Sequence, residues 1–532
     1  MYKIGEDQAK QEYAFWIAIG VILLGGFLLR ILQLEQYPLA VNQDELSNIY
    51  DGYSIAETGA DRWGNKYPMI LKAFGLADYR PPMYAWLSAV TIRAFGFSIS
   101  SGRLVSALLG SASLGLLFLV ARRAGGRLFG FLSLLITALS PWHILFSRIA
   151  SEGAILPSFF IISGCYLWQK ARDKNYQIKH LALLGLCIGL GANTYQAGKL
   201  TSFLFAALVF VDLLLRCKSR YKCVIAFGVS CLVGASPQII IMLTMASQFF
   251  SRASMSSVPF AFSFEYFNTI LKNIASNVSP DFLFFSSTAY NNLSVARLLT
   301  VEVLFFYVGL FFIYKVIDRS QVLTPFSIYF LLFASIIPGA LTVDNPHALR
   351  SSGLAILLPL ITAAGIKVVY VYIKQNICKK IFITASVVIV LWNAIYFIEM
   401  YIESEDLRSQ GMQVLLVKSS KKLNDFKDNY DKIYVEITGN QQYIYLLSYC
   451  NIKPREFQTA DIEMNYGDWD DFRRLGKYYF VNQSEIEEKA KDDKATSLLL
   501  LRTRTNNYEA IDSVEHMSEK MFFYKRQASI AP

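Results

Sequence analysis

The chain has 532 residues, of which 54% are apolar, 14% aromatic and only 17% charged, and its mean hydropathy is +0.35. A soluble core cannot hide that much apolar surface, so the composition excludes a soluble globular enzyme and a disordered chain, and it implies a multi-span membrane protein. The formal net charge of +10 sits in short loops at the ends of apolar runs rather than in one aromatic-interleaved stripe, which reads as membrane topology and argues against nucleic acid as a partner.

The first apolar run, Tyr13 to Leu34, is about 22 residues, the length of a membrane span. It has no small-x-small cleavage site, so it is expected to stay as an anchor rather than leave as a signal peptide. Further runs fall near 102–121, 128–147, 153–169, 180–197, 200–215, 222–246, 298–316, 323–343, 350–366 and 380–401. Eleven spans are expected, with a range of 11 to 13. The range comes from segments such as Met83 to Phe97, which carries Arg93 in its middle. At about 15 residues it is short for a hydrocarbon core of roughly 30 Å, and it reads as a juxtamembrane helix; a short true span is the alternative. Residues 260–285, rich in Phe with interspersed polar residues, read as another interfacial piece.

Basic residues sort to one side of these runs: Arg122, Arg123 and Arg127; Lys170, Arg172, Lys174 and Lys179; Arg216, Lys218, Arg220 and Lys222; Lys315 and Arg319; Lys367, Lys374, Lys379 and Lys380. By the positive-inside rule these loops and the N-terminus face the cytoplasm of a plasma (inner) membrane, and residues 35–101, 247–297 and the tail are extracytoplasmic. The seven cysteines lie scattered in apolar runs, beside basic loops or alone in the tail, and imply neither a disulfide framework nor a CxxC metal site.

After Tyr401 the apolar runs give way to charge clusters and short strand and helix signals. Lys432 to Ile437, Lys477 to Val481, Ser497 to Arg502 and Met521 to Lys525 read as strands, with helices at Gln441 to Tyr449 and Ser484 to Lys491. The expected division is therefore a transmembrane module over 1–403, holding outer loops 35–101 and 247–297, and an extracytoplasmic α/β domain over 404–532. The latter has no phosphate-cradling glycine loop, no His/Cys cluster and no nucleophile elbow. It reads as a gating or recognition unit, or as a structural cap.

The polar text lies just beyond the first span. Asp44 and Glu45 are adjacent, Gly52-Tyr53-Ser54-Ile55 and Thr58-Gly59 follow, and then Arg80-Pro81-Pro82-Met83-Tyr84. Together with Ser140-Pro141-Trp142-His143, Phe146-Ser147-Arg148-Ile149-Ala150 and Pro346-His347-Ala348-Leu349-Arg350, this ordered set, over roughly residues 10 to 400, resembles the bacterial glycosyltransferases related to protein O-mannosyltransferases and to the lipid A aminoarabinose transferase. That resemblance implies a polytopic α-helical fold of the GT-C type, an active site at the outer face, and a polyprenyl-phosphate-linked sugar as donor. It also implies that the basic residue before the two prolines, Arg80, lies near the lipid phosphate. The tail carries nothing that matches, so lipid, protein and cell-surface glycan all stand as acceptors.

The chemistry can be argued from the residues as well. A sugar on a lipid phosphate already carries its leaving group, and no nucleotide site is found in the cytoplasmic loops. An acceptor hydroxyl has a pKa far above neutral, so a positioned carboxylate must take its proton. Asp44 is the candidate base, against the plainer role of a helix N-cap. Glu45 beside it could orient Asp44, raise its pKa or bind a metal, so no cofactor is required and a divalent cation stays open. A single inverting displacement follows from a base on the face opposite the phosphate. Arg80 offers a bidentate fork to that phosphate, with Arg350 and Arg148, both at outer span ends, as further choices; headgroup snorkelling is the alternative for each. Tyr84, Tyr195 and His347 are weaker substrate contacts. Four histidines without paired spacing make hydrogen bonding at His143 and His347 the better reading than metal ligation. Sequons stand at Asn277, Asn292 and Asn482. A transporter or flippase of lipid-linked sugars and a non-catalytic partner subunit are the competing classes. The first is disfavoured because no internal repeat is visible and the acids crowd one outer loop.

Overall fold

A computed structural model describes residues 2–75, 78–285, 296–318, 321–409, 411–439, 441–466, 470–486 and 496–526. Asn292, and the expected helix Ser484 to Lys491 from residue 487 onward, lie outside these residues.

In chain order, helix α1 (Tyr2–Ile31) leads to α2 (Gln43–Thr58), a two-stranded ribbon of β1 (Leu71–Lys72) and β2 (Tyr79–Arg80), and α3 (Met83–Phe95). Then come α4 (Ile99–Leu139), α5 (Pro141–Phe146), α6 (Ile155–Asp173), α7 (Ile178–Gly191), α8 (Gln196–Arg216) and α9 (Arg220–Thr244). After α10 (Ala246–Ser256) and α11 (Phe264–Ser276) follow α12 (Val303–Phe312), α13 (Pro325–Ala340), α14 (Leu354–Tyr372) and α15 (Asn376–Glu403). The chain closes with α16 (Glu405–Ser409), α17 (Val414–Phe426), β3 (Lys432–Glu436), α18 (Tyr443–Tyr449), α19 (Pro454–Thr459), β4 (Ile462–Tyr466), β5 (Asp470–Leu475), β6 (Tyr478–Val481), β7 (Ser497–Leu501), β8 (Glu509–His516) and β9 (Glu519–Arg526).

These elements form two compact units that do not follow sequence order. One holds Met1–Tyr37 with Arg103–Gly411, the other Pro38–Gly102 with Met412–Pro532. In the first, helical unit, six described helices are long and apolar enough to cross a membrane: Ala9–Ile31, Ile99–Leu139, Gln196–Arg216, Arg220–Thr244, Leu354–Tyr372 and Asn376–Glu403. Ile99–Leu139 carries two of the expected runs, because the backbone leaves helical angles at Gly125 (φ −142°) and Gly126 (φ 81°). The positive φ at Gly126 is one that glycine adopts without strain. The remaining expected runs fall on α6, α7, α12 and α13, helices of 19, 14, 10 and 16 residues. Cys217 and Cys223 are joined by a disulfide in the turn between α8 and α9, a pairing that the scattered cysteines do not announce.

The second unit is built on a seven-stranded sheet in the order β4-β5-β6-β3-β7-β9-β8. β3 lies at its centre, parallel to both β6 and β7, and the outer strands run antiparallel. Burial explains the centre: β7, Ser-Leu-Leu-Leu-Leu, is buried at every position, as is β3 from Ile433 onward. The core beneath gathers Tyr434, Val481, Leu499 and Tyr524. In the same unit, α3 is a 13-residue helix. At about 1.5 Å per residue it is shorter than a hydrocarbon core.

Candidate active site

The acidic pair sits in the first turn of α2, and the local sequence explains why the helix starts there. Asn42, extended at φ −90° and ψ 170°, turns its Oδ1 back to accept the Glu45 N–H at 2.8 Å, which satisfies one of the otherwise orphaned amides. Asp44 and Glu45 then place negative charge where the helix dipole favours it. Capping falls to Asn42, and the Asp44 side chain is left for other work. At the far end Gly59 (φ 70°) closes the helix, its N–H donating to Ile55 O.

The two carboxylates differ in access, which separates their roles. The Asp44 side chain is 45% exposed, whereas Glu45 is 1% exposed. Only Asp44 of the two can meet a substrate directly. Arg80, delivered by β2 and 5% exposed, brings Nη2 to 3.0 Å from Asp44 Oδ1 and 3.5 Å from Asp78 Oδ2, and Nη1 to 3.4 Å from the Asp44 carbonyl. Its guanidinium also lies over the Phe74 ring at 5.8 Å, a favourable cation–π placement. Asp44, Arg80 and Asp78 thus form one charged cluster, with Glu45 next to Asp44 in the chain. Asp78 belongs to it although the sequence reading did not single it out; an acid two residues before a basic one on a short strand is a weak signal.

Beneath this cluster lies a buried ion pair. Arg62 Nη1 is 2.8 Å from Asp51 Oδ2, with side chains 0% and 1% exposed. Arg62 also donates to Ser47 Oγ at 2.6 Å and to the Ala73 carbonyl, so it ties the middle of α2 to the β1 loop. Burial pushes the Asp51 carboxyl up to about 6, and the Arg62 charge pulls in the opposite direction. On its other side α2 meets α3 at backbone distance: a Cβ on Gly52 would lie 2.1 Å from Ser88 Oγ and 3.0 Å from Ala85 O.

Tyr84, in α3, is 0% exposed and donates its hydroxyl to Gly102 O at 3.0 Å, a core position. The other sequence candidates belong to the helical unit. Arg148 donates Nε to Tyr37 O at 2.8 Å, Nη1 to Leu29 O at 2.6 Å, and Nη2 to Leu32 O and Gln33 O at 2.6 and 3.0 Å. Its fork is spent on carbonyls at the end of α1, as a helix C-cap. Arg350 donates Nη1 to Thr342 Oγ1 at 2.8 Å and to Asp344 O at 3.0 Å, with Nη2 3.9 Å from Asp344 Oδ2. His347, in the same loop, lies 3.8 Å from that carboxylate. Burial, with the charges of Arg350 and Arg252, holds it well below its ordinary pKa, so it stands as a neutral imidazole. Tyr195 is the N-cap of α8, and its ring would lie 3.1 Å from a Cβ on Gly153. A cavity of ≈ 510 Å³ in this unit is lined by Leu28, Leu32, Leu135, Leu145, Arg148 and Phe397. Among the described residues no group of three or more His, Cys, Asp or Glu side chains is placed to hold a metal.

The fold is of the GT-C type, a multi-span helical module with a C-terminal sheet domain. Two solved structures of ArnT from Cupriavidus metallidurans share it: the form bound to undecaprenyl phosphate, at 11% identity, covering 97% of this chain and 98% of that one with a TM-score of 0.57, and the apo form, at 12% identity, 98% and 99% coverage and a TM-score of 0.56. Residues 79–241 match the family described as dolichyl-phosphate-mannose-protein mannosyltransferase. No curated protein matches the sequence. The resemblance read from the ordered motifs is thus supported by sequence over the segment that begins beside Arg80, and by fold along the whole chain.

Proposed function

We propose that the protein is a membrane glycosyltransferase that moves a sugar from a polyprenyl-phosphate donor to an acceptor hydroxyl at the outer membrane face, in one inverting displacement. The observation that carries this reading is the Asp44 carboxylate: accessible, held by Arg80, and backed by the buried Glu45 in a chain with the ArnT fold. The acceptor oxygen attacks the anomeric carbon as the bond from that carbon to the phosphate oxygen breaks, and the acceptor proton passes to Asp44. The phosphate departs with the polyprenol.

Charge growing on the departing phosphate calls for donors preorganised in a site of low dielectric. Arg80 is the residue we assign to it, since it is nine-tenths buried and adjoins the base. The carbonyl-capping geometry of Arg148 favours a structural role there. Glu45 orients the first turn and adds negative charge beside Asp44. The positive-inside rule places the N-terminus in the cytoplasm and the C-terminal unit outside, which puts Asp44 on the side where lipid-linked donors present their sugars. The ArnT structure bound to undecaprenyl phosphate supports the donor class.

The test is a transfer assay with purified protein reconstituted in sealed liposomes, supplied with undecaprenyl-phosphate sugars and with candidate lipid, peptide and glycan acceptors. Release of undecaprenyl phosphate coupled to glycosylated acceptor is expected. Donor that stays intact with every sugar and acceptor, or that crosses the membrane unreacted, would reject the reading.

A further inference from the structure

Among the described residues, those from 412 onward contribute no member of the charged cluster, yet they share a compact unit with residues 38–102. Their contacts fall along α2 from end to end. At its start, Tyr445 donates its hydroxyl to Val41 O at 3.3 Å and the Gln413 N–H reaches the same carbonyl at 3.2 Å, three residues before Asp44. At its middle, Tyr50 donates to Ile452 O at 2.8 Å. At its end, Gln458 Nε2 lies 3.1 Å from Ser54 Oγ, 3.3 Å from Thr58 Oγ1 and 2.9 Å from Asp61 O. Rings pack between these bonds: Phe457 meets Tyr50 at 6.4 Å and Trp63 at 5.6 Å.

A short helix held only by its neighbour α3 would have one packed face and freedom to roll. A general base cannot tolerate that, because misplacement by about 1 Å can cost on the order of 10²-fold in rate. Hydrogen bonds from the buried Tyr445 at one end and the half-buried Gln458 at the other remove the freedom. Tyr445 is well suited to this role. It is 0% exposed, and burial, Tyr449 and the carboxylates of Asp44 and Glu45 all keep its hydroxyl protonated, so it remains a donor at any working pH.

We propose that the C-terminal α/β domain is the seat of the Asp44 helix, and that Tyr445 and Gln458 are positioning residues for the transfer. This rests on the reading of Asp44 as the base. The domain acts through α2 and touches no reacting atom.

Tyr445→Phe and Gln458→Ala in the full-length chain remove hydrogen bonds while keeping the rings and the bulk of the packing. Each is expected to lower kcat by about tenfold or more, with the KM for the undecaprenyl-phosphate sugar within twofold of wild type, and with faster amide exchange in residues 43–48. A purely structural role would instead lower the folded fraction and leave the kcat of the folded protein unchanged. Wild-type kcat in both variants overturns the proposal, as does a loss confined to the folded fraction. If Tyr445→Phe does not fold, Gln458→Ala decides alone. Asp44→Asn run in parallel separates the two claims: full turnover there sinks the base assignment itself, whereas a dead Asp44→Asn beside fully active Tyr445→Phe and Gln458→Ala sinks only the seating role.

Discussion

Replacing Arg62 by alanine probes what fixes the acidic helix from inside. The pair it forms with Asp51 is buried on both sides, 2.8 Å across, and breaking such a pair from one side costs about 3 to 5 kcal/mol, because the remaining charge stays buried. The loss should depend on pH. Burial already pushes Asp51 up to about 6 against an ordinary 3.8, so this carboxyl favours the folded state when protonated and disfavours it once ionised. Its penalty is absent below about pH 4 and complete above the folded value. Without Arg62 the downward pull vanishes and the folded value climbs further. The destabilisation should therefore be largest at pH 8 and smaller at pH 5, where Asp51 takes a proton. Adding Asp51→Asn should recover much of it, since removing both partners leaves no uncompensated charge. Hydrogen exchange of the α2 amides, compared between variant and wild type at each pH in the full-length protein, reads the opening free energy. A change below about 1 kcal/mol at pH 8, well under the buried-pair range, or an equal change at both pH values, would refute this account of the pair.

Arg80→Ala should weaken use of the undecaprenyl-phosphate sugar by about 2 to 4 kcal/mol, and Arg80→Lys should recover part of that, since an ammonium keeps the charge without the planar fork; an unchanged apparent donor affinity in Arg80→Ala would remove Arg80 from the phosphate site. Gly52→Val should push α2 off α3, because even a Cβ would meet Ser88 Oγ at 2.1 Å; we expect transfer to collapse together with protease protection of residues 43–62, and normal protection would contradict the packing. Cysteines at Asn65 and Asn482 should react with an impermeant thiol reagent from outside intact cells, while one at Asn175 and the native exposed Cys378 should not; the reverse pattern would invert the topology.

The sequence reveals the helical module well because hydrophobic length is a one-dimensional signal. Each expected run meets a helix, down to the Gly125–Gly126 break that separates two of them. It also reveals four strands, β3, β6, β7 and β9, whose apolar or alternating residues are strong. β4 and β5 escape notice because Ile-Glu-Met-Asn-Tyr and Asp-Asp-Phe-Arg-Arg-Leu are edge-side strands with too few apolar residues to stand out. At the site, adjacent acids after a span are visible, and so is Arg80. Asn42 rather than Asp44 caps the helix, a local choice between two neighbouring residues that can both cap. What escapes through tertiary packing is that Arg62 pairs with Asp51 and that Tyr445 and Gln458 reach the α2 segment from about 400 residues away; neither leaves a periodic trace.

The central claim is that Asp44 takes the acceptor proton, and Asp44→Asn tests it most directly, because the amide keeps the shape and a bond to Arg80 but cannot accept that proton. Single-turnover transfer from the undecaprenyl-phosphate sugar, measured on protein with wild-type elution and α2 exchange protection, should fall by about 10² to 10⁴-fold, with donor binding retained. An Asn variant that is folded and transfers sugar at the wild-type rate would contradict the account.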